Sequence, residues 1–127
     1  MTRINCVPVS ELHSKHLVAE YRELPRIFGC VKALQAKGLG VESVRKRAPS
    51  TYTMGQGHML FFYDKCMFLL RRQQELIREM RFRGYDPKFA YPNDLINGIS
   101  EEWLGTWEPT EEALAINRER IRERMPK

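Results

Sequence analysis

The densest group of reactive side chains in this sequence lies between His16 and Arg26. Arg22 and Arg26 stand one helical turn apart, with Glu23 between them in sequence, and residues four apart on a helix share a face. His16, Glu20 and Glu23 also follow a helical period, which sets a polar strip beside the arginines. A guanidinium presents a planar fork suited to phosphate. A carboxylate among such groups can stabilise developing positive charge or move a proton. The same spacing equally suits a solvated face of salt bridges, and these residues alone leave both readings open. A second basic run, Arg45-Lys46-Arg47, lies in the long connection between Gly38 and Gly57. Connections of that length are uncommon in compact domains and often functional, so this run is a further candidate contact for a polyanion.

Other groupings carry less chemistry. His13 and His16 are three apart, but no third ligand accompanies them, and neither a metal nor any other cofactor is expected. The pairs Gly38/Gly40 and Gly55/Gly57 neither follow a strand nor complete a nucleotide fingerprint, so they read as a helix stop and a turn. Cys6, Cys30 and Cys66 are odd in number and widely spaced, which suits reduced thiols rather than a disulfide framework or a zinc site. Arg71, Arg72, Arg78, Arg81 and Arg83, with Arg118, Arg120, Arg122 and Arg124, read as exposed helix surface able to pair with Glu75, Glu79, Glu119 and Glu123. The 21 Lys+Arg against 16 Asp+Glu leave a net charge of +5, which favours a polyanionic partner without establishing one. No signal peptide is expected from the N-terminal residues, and no apolar run of ~18 residues is present. An intracellular protein with no membrane partner and no obligate protein partner is expected.

Three helical stretches must position these groups. Leu17, Tyr21, Leu24, Phe28, Val31 and Leu34 form one apolar stripe. Pro25 falls inside it and should kink the helix, and Lys37-Gly38 should end it. A second helix is expected from about His58 to Arg83, apolar on two adjacent sides and closed by Gly84. A third opens at Thr110, a good N-cap followed by Glu111 and Glu112, with Leu114, Ile121 and Met125 as its apolar stripe. Residues 85–109 are broken by prolines and glycines. Trp103 and Trp107 read as caps on the core, with stacking surfaces as the alternative. The expected fold is all-α, a single domain over residues 1–127 built on three main helices.

The run Thr2-Arg3-Ile4-Asn5, Val9-Ser10-Glu11-Leu12, His16-Leu17 and Ala19-Glu20-Tyr21-Arg22-Glu23-Leu24-Pro25-Arg26 with Phe28-Gly29 closely resembles the phage-type endonuclease V, or pyrimidine-dimer DNA glycosylase, family. The likeness resumes at Gly55, Gly57-His58, Phe61-Phe62-Tyr63-Asp64-Lys65, Phe68-Leu69, Arg72-Gln73 and Glu75-Leu76-Ile77. It thins after Gly84, covering roughly the first two-thirds of the chain. The resemblance implies a compact helical fold with its N-terminal segment threaded between the helices. It also implies a DNA-repair glycosylase with abasic-site lyase activity, acting on UV-induced pyrimidine dimers in double-stranded DNA that carries damaged or abasic nucleotides. On that reading the initiator Met is removed and the amine of Thr2 attacks C1′ of the damaged nucleotide. Glu23 is the catalytic carboxylate, and Arg3, His16, Arg22 and Arg26 hold the DNA.

Elementary chemistry is consistent with such a scheme. An attacking amine must be neutral, and an α-amino group with pKa ~8 has about a tenth in that form at pH 7, far more than a lysine with pKa ~10.4. Base loss leaves positive charge at C1′, as in glycoside hydrolysis, and a carboxylate stabilises it. Imine formation then acidifies C2′ for β-elimination. A flipped nucleotide is expected. Phage-type members carry an aromatic, basic tail, and none is expected beyond Met125-Pro126-Lys127 here. Abasic duplexes are accordingly expected to be nicked robustly and UV-irradiated duplexes more weakly. The alternatives are an enzyme preferring abasic sites or another damaged base, and a non-catalytic basic DNA-binding protein.

Overall fold

The computed structural model of the chain describes residues 3–89 and 91–125. Helix α1 (Ser14–Glu23) begins where the His13 ring accepts a hydrogen bond from the Lys15 amide, 3.1 Å away, satisfying one of the amides a helix start leaves free. Leu24 keeps helical dihedrals, and its N–H still reaches Glu20 O at 2.9 Å. Pro25 has no N–H to continue the ladder, so the run is interrupted there and α2 (Pro25–Ala36) starts with the proline in its first turn. The apolar stripe continues across this break, burying Leu17, Tyr21, Leu24, Phe28 and Val31. The kink expected at Pro25 is thus a division into two helices. Gly38 then adopts φ +79°, and Leu39 N–H bonds back to Leu34 O at 3.0 Å, a left-handed stop that only glycine takes without strain.

The expected continuous helix over 58–83 is not formed. Instead α3 (Val41–Arg45) lies within the long connection, α4 spans His58–Phe62, and α5 runs Cys66–Phe82. The reason is a distant piece of backbone. Gly105 O accepts from the amides of Met67 (3.1 Å) and Phe68 (3.3 Å), while Gly105 N–H donates to Asp64 O at 3.1 Å. The orphan amides at the start of α5 are thereby satisfied from outside the helix, and Lys65 leaves the helical region at φ −127°, ψ 40°. A β-carbon on Gly105 would collide with the Asp64 carbonyl, so this approach requires glycine. Helix α6 (Glu111–Glu123) is capped by Thr110, whose Oγ1 accepts from Ala113 N at 3.0 Å, as its sequence predicts. The segment between α5 and α6 contains only short 3-10 turns, Pro92–Ile96 and Glu101–Trp103. Among the described residues no strand occurs, and the architecture is all-α.

Trp103, Phe28, Phe62, Leu17, Leu69 and Leu76 fill the centre. Tyr52, Phe61, Phe62, Phe68 and Trp107 form a contiguous aromatic cluster, with Tyr52 and Trp107 stacked at 5.8 Å. Trp103 is therefore core material, worth roughly 1.5–3 kcal/mol by burial on the scale for large apolar side chains, and half-buried Trp107 packs against that core. The stripe expected on α6 is corrected. Met125 is exposed, Leu114 and Ile121 are half-buried, and the buried positions are Ala113 and Asn117. Space that apolar side chains would otherwise fill there is taken by the N-terminal segment, whose Ile4, Asn5, Cys6 and Val7 are all buried. That segment passes between α4, α5 and α6 and bonds to each.

Candidate active site

Residues 4–7 belong to no helix or strand, so their buried backbone groups must find other partners. Side chains supply them. The Ile4 amide donates to His58 Nε2 at 2.7 Å, and Ile4 O accepts from the Tyr52 hydroxyl at 3.0 Å. One oxygen, Asn117 Oδ1, accepts from both Cys6 N (2.7 Å) and Val7 N (3.1 Å). Val7 O accepts from Arg72. Arg72 also forks onto Glu20, at 2.8 and 3.2 Å, with side-chain exposures of 5% and 1% for the two partners. Asn5 closes the circuit, donating to Glu20 Oε1 (2.8 Å) and accepting from Asn117 Nδ2 (2.7 Å). Burial alone would lower the Arg72 pKa, but the charge and hydrogen bonds of Glu20 outweigh it and hold the guanidinium ionised. A buried ion pair of this kind survives only with its remaining hydrogen-bonding capacity met, and here it is met by the N-terminal segment.

This segment emerges at a cleft of about 200 Å³ lined by Arg3, Asn5, His16, Glu20, Glu23, Met54, Arg120 and Arg124 among others. Helix α1 supplies His16, Glu20 and Glu23 from one face at i, i+4 and i+7, and α6 supplies Arg120 and Arg124 from one face at i, i+4. Arg3 and Arg120 are both drawn to Met54 O, at 3.3 and 3.2 Å. Three cations thus meet one partly exposed carboxylate, Glu23. Burial lowers the Arg3 pKa, Arg120 and Arg124 lower it further, and Glu23 acts in the opposite sense. The cleft therefore carries net positive potential with a carboxylate set inside it, which suits an anionic ligand that develops local positive charge.

The candidates read from sequence are distributed unevenly. Arg3, His16 and Glu23 line the cleft. The His16 ring donates through Nε2 to Arg124 O at 3.2 Å, since a carbonyl only accepts. Arg26 is exposed and lies 3.9 Å from Glu23. Arg22 is exposed and faces a different recess, about 780 Å³ and mostly apolar, whose walls include Tyr21, Met80, Tyr85, Phe89 and Tyr91. That recess is larger, but Glu23 and the three clustered arginines are not among its walls. Arg45, Lys46 and Arg47 are not brought to the cleft either. Arg45 is engaged by Asp64 and Glu42, both at 3.1 Å, and Arg47 by Ser43 O. Thr2 lies outside the described residues.

Arg72 and Arg120 correct the expectation of an exposed basic surface, being buried and half-buried. A signal for the buried network was present. Glu20 sits between Leu17 and Leu24 at helical spacing, Arg72 and Gln73 between Leu69 and Leu76, and Asn117 between Ala113 and Ile121. Polar residues at stripe positions must be paired. His58 carried no such signal beyond its place at the start of an apolar run.

Among the described residues no group of three or more His, Cys, Asp or Glu is placed to hold a metal ion. Among the same residues no helix is long and apolar enough to cross a membrane. Compared with protein families, residues 1–93 match the family described as pyrimidine dimer DNA glycosylase. The matched span contains Arg3, His16, Glu20, Glu23, His58 and Arg72, while Arg120 and Arg124 lie beyond it. The chain belongs to the pyrimidine dimer DNA glycosylase family, and its role is that of a DNA-repair glycosylase.

Proposed function

We propose that the chain both releases the damaged base and nicks the strand by β-elimination, through an imine formed between the amine of Thr2 and C1′ of the damaged nucleotide. The observation that carries this reading is the cleft, where Glu23 stands among Arg3, Arg120 and Arg124 at the point where the anchored N-terminal segment emerges. Thr2 is one peptide unit from Arg3, and consecutive α-carbons are ~3.8 Å apart. Cationic neighbours disfavour a protonated amine. Positive charge on the sugar as the base leaves is offset by the Glu23 carboxylate. The amine nitrogen bonds to C1′ and the base departs with the C1′–N bond electrons. Loss of the amine's proton and opening of the sugar ring give the imine. Glu23 then removes a C2′ proton, and the 3′ phosphate leaves with the C3′–O bond electrons. Arg3, Arg120, Arg124 and His16 hold backbone phosphates around this centre, with Arg22 and Arg26 outside it.

Borohydride reduction on a duplex with one abasic site tests the reading. A covalent adduct mapped by mass spectrometry to the amine of Thr2 is the expected result. An adduct on a lysine, or none, overturns it. Glu23→Gln should keep duplex binding while losing at least about 100-fold in base release and nicking, the upper range for a missing acid–base group being 10⁴. Assay of a single cyclobutane dimer beside the abasic duplex then ranks the two lesions.

A further inference from the structure

Asn117 and Arg72 hold the backbone of Cys6 and Val7, deep in the core, and Glu20 and Asn117 hold the Asn5 side chain. Among the described residues, the backbone of Ile4, the last buried residue before Arg3 enters the cleft, is held by His58 and Tyr52. The His58 ring is 1% exposed and fixed on several sides. It meets Tyr52 edge-on at 5.7 Å and Phe62 edge-on at 5.5 Å. Its Nδ1 lies 2.6 Å from Thr53 O, which only accepts, so Nδ1 carries the proton. Its Nε2 lies 2.7 Å from the Ile4 N–H, which only donates, so Nε2 must offer a lone pair. Both contacts demand one species, the neutral ring protonated at Nδ1. Burial lowers the His58 pKa from its ordinary 6.5. The bond to Thr53 opposes this, and Arg3 and Arg120 add to the lowering. The cleft's own cations thereby help keep this anchor neutral.

We infer that His58 is a positioning residue for the reaction, fixing through the Ile4 amide the register at which the N-terminal segment enters the cleft. The inference rests on the proposed role of the Thr2 amine. A slip of one residue in an extended chain displaces its end by ~3.4 Å, whereas a misplacement of ~1 Å can cost 10²-fold in rate. Loosening at Ile4 would act on the reacting end directly, while leaving Arg3, Arg120, Arg124 and Glu23 able to bind DNA.

The test begins with the wild-type protein uniformly labelled with ¹⁵N, backbone amides and histidine rings alike. NMR should show a coupling across the hydrogen bond between the Ile4 amide nitrogen and His58 Nε2, with Nδ1 protonated at pH 7. A ring protonated at Nε2, or a missing coupling, overturns the inference whether or not any variant folds. Two variants then separate positioning from mere support. In His58→Leu the acceptor is gone. In His58→Gln the amide oxygen can stand near the place of Nε2 and accept from Ile4. Single-turnover borohydride trapping at saturating abasic duplex should slow about 10- to 100-fold in His58→Leu and recover most of the way in His58→Gln, with Kd for the duplex changed less than about threefold in both. Parallel loss of binding and trapping would mark a structural role only and overturn the inference. Wild-type trapping in His58→Leu would overturn it while leaving the Thr2 reading intact. Failure of the wild-type protein to be trapped at Thr2 would instead remove the reading beneath it.

Discussion

Arg72→Met is the most demanding test of how the N-terminal segment is held. The substitution keeps an unbranched, flexible side chain of similar length and removes every donor. Glu20 loses bonds of 2.8 and 3.2 Å while its side chain stays 1% exposed, and Val7 O loses its partner as well. Breaking a buried ion pair by deleting one member costs roughly 3–5 kcal/mol, and a stranded buried carbonyl roughly 1–3 kcal/mol. The two overlap, so a total of about 4–6 kcal/mol is expected. For a chain of this length each kcal/mol corresponds to roughly 3–5 °C, giving a fall in Tm of roughly 12–30 °C. The control is Arg78→Met, an exposed position on the same helix, which should stay within about 0.5 kcal/mol. Urea and thermal unfolding followed by circular dichroism measure both. Glu20→Leu combined with Arg72→Met should be more stable than Arg72→Met alone, because no buried charge is left unpaired. Equal losses for Arg72→Met and Arg78→Met, or a double variant worse than the single, would refute the claim that the pair is closed by the N-terminal segment.

Three further outcomes follow from other parts of the molecule. Gly105→Ala should cost roughly 1–3 kcal/mol through overpacking against Asp64 O, and wild-type stability in urea would show that the α4–α5 junction can relax. Burial pushes the Cys6 thiol up to about 11 and Cys66 up to about 12, so alkylation at pH 8 should reach half-buried Cys30 well before either, and equal rates would contradict the burial. These thiols bind their protons more tightly folded than unfolded, so their contribution to stability should be present below pH ~9 and lost as pH rises toward the folded values, which denaturation at pH 8 and pH 10.5 checks. Arg120→Gln and Arg124→Gln should each flatten the log–log salt dependence of duplex binding by about 0.9, whereas Arg45→Gln should leave it unchanged because Asp64 and Glu42 already engage that side chain. Fluorescence anisotropy over a salt series decides, and equal flattening by all three would assign DNA contact to Arg45 as well.

Local chemistry explains which features were legible in the sequence. Gly38 and Gly84 take positive φ and Thr110 caps, so these ends are written in single residues and were read correctly, whereas Pro25, expected to kink one helix, divides it into two. The stripe from Leu17 to Val31 fixed which face of the first helical run is buried. His16 and Glu23 share a face by spacing alone, and the structure places both in one cleft. What the sequence by itself could not determine are contacts between segments far apart in the chain. The break at residues 63–65 depends on Gly105 delivering its carbonyl to Met67 and Phe68, and no local signal marks that approach. Arg45-Lys46-Arg47 read as a further candidate contact for a polyanion, and which acids would stand beside Arg45, or that Arg120 and Arg124 would line the cleft, was decided by tertiary packing. Helical spacing states which residues share a face, but not what lies opposite that face. Only the folded chain brings the end of α6 to α1 and threads residues 4–7 between α4, α5 and α6. There Glu20, Arg72 and Asn117, polar residues at positions that should be apolar, are required because a buried segment outside any helix or strand must still have its backbone groups hydrogen-bonded.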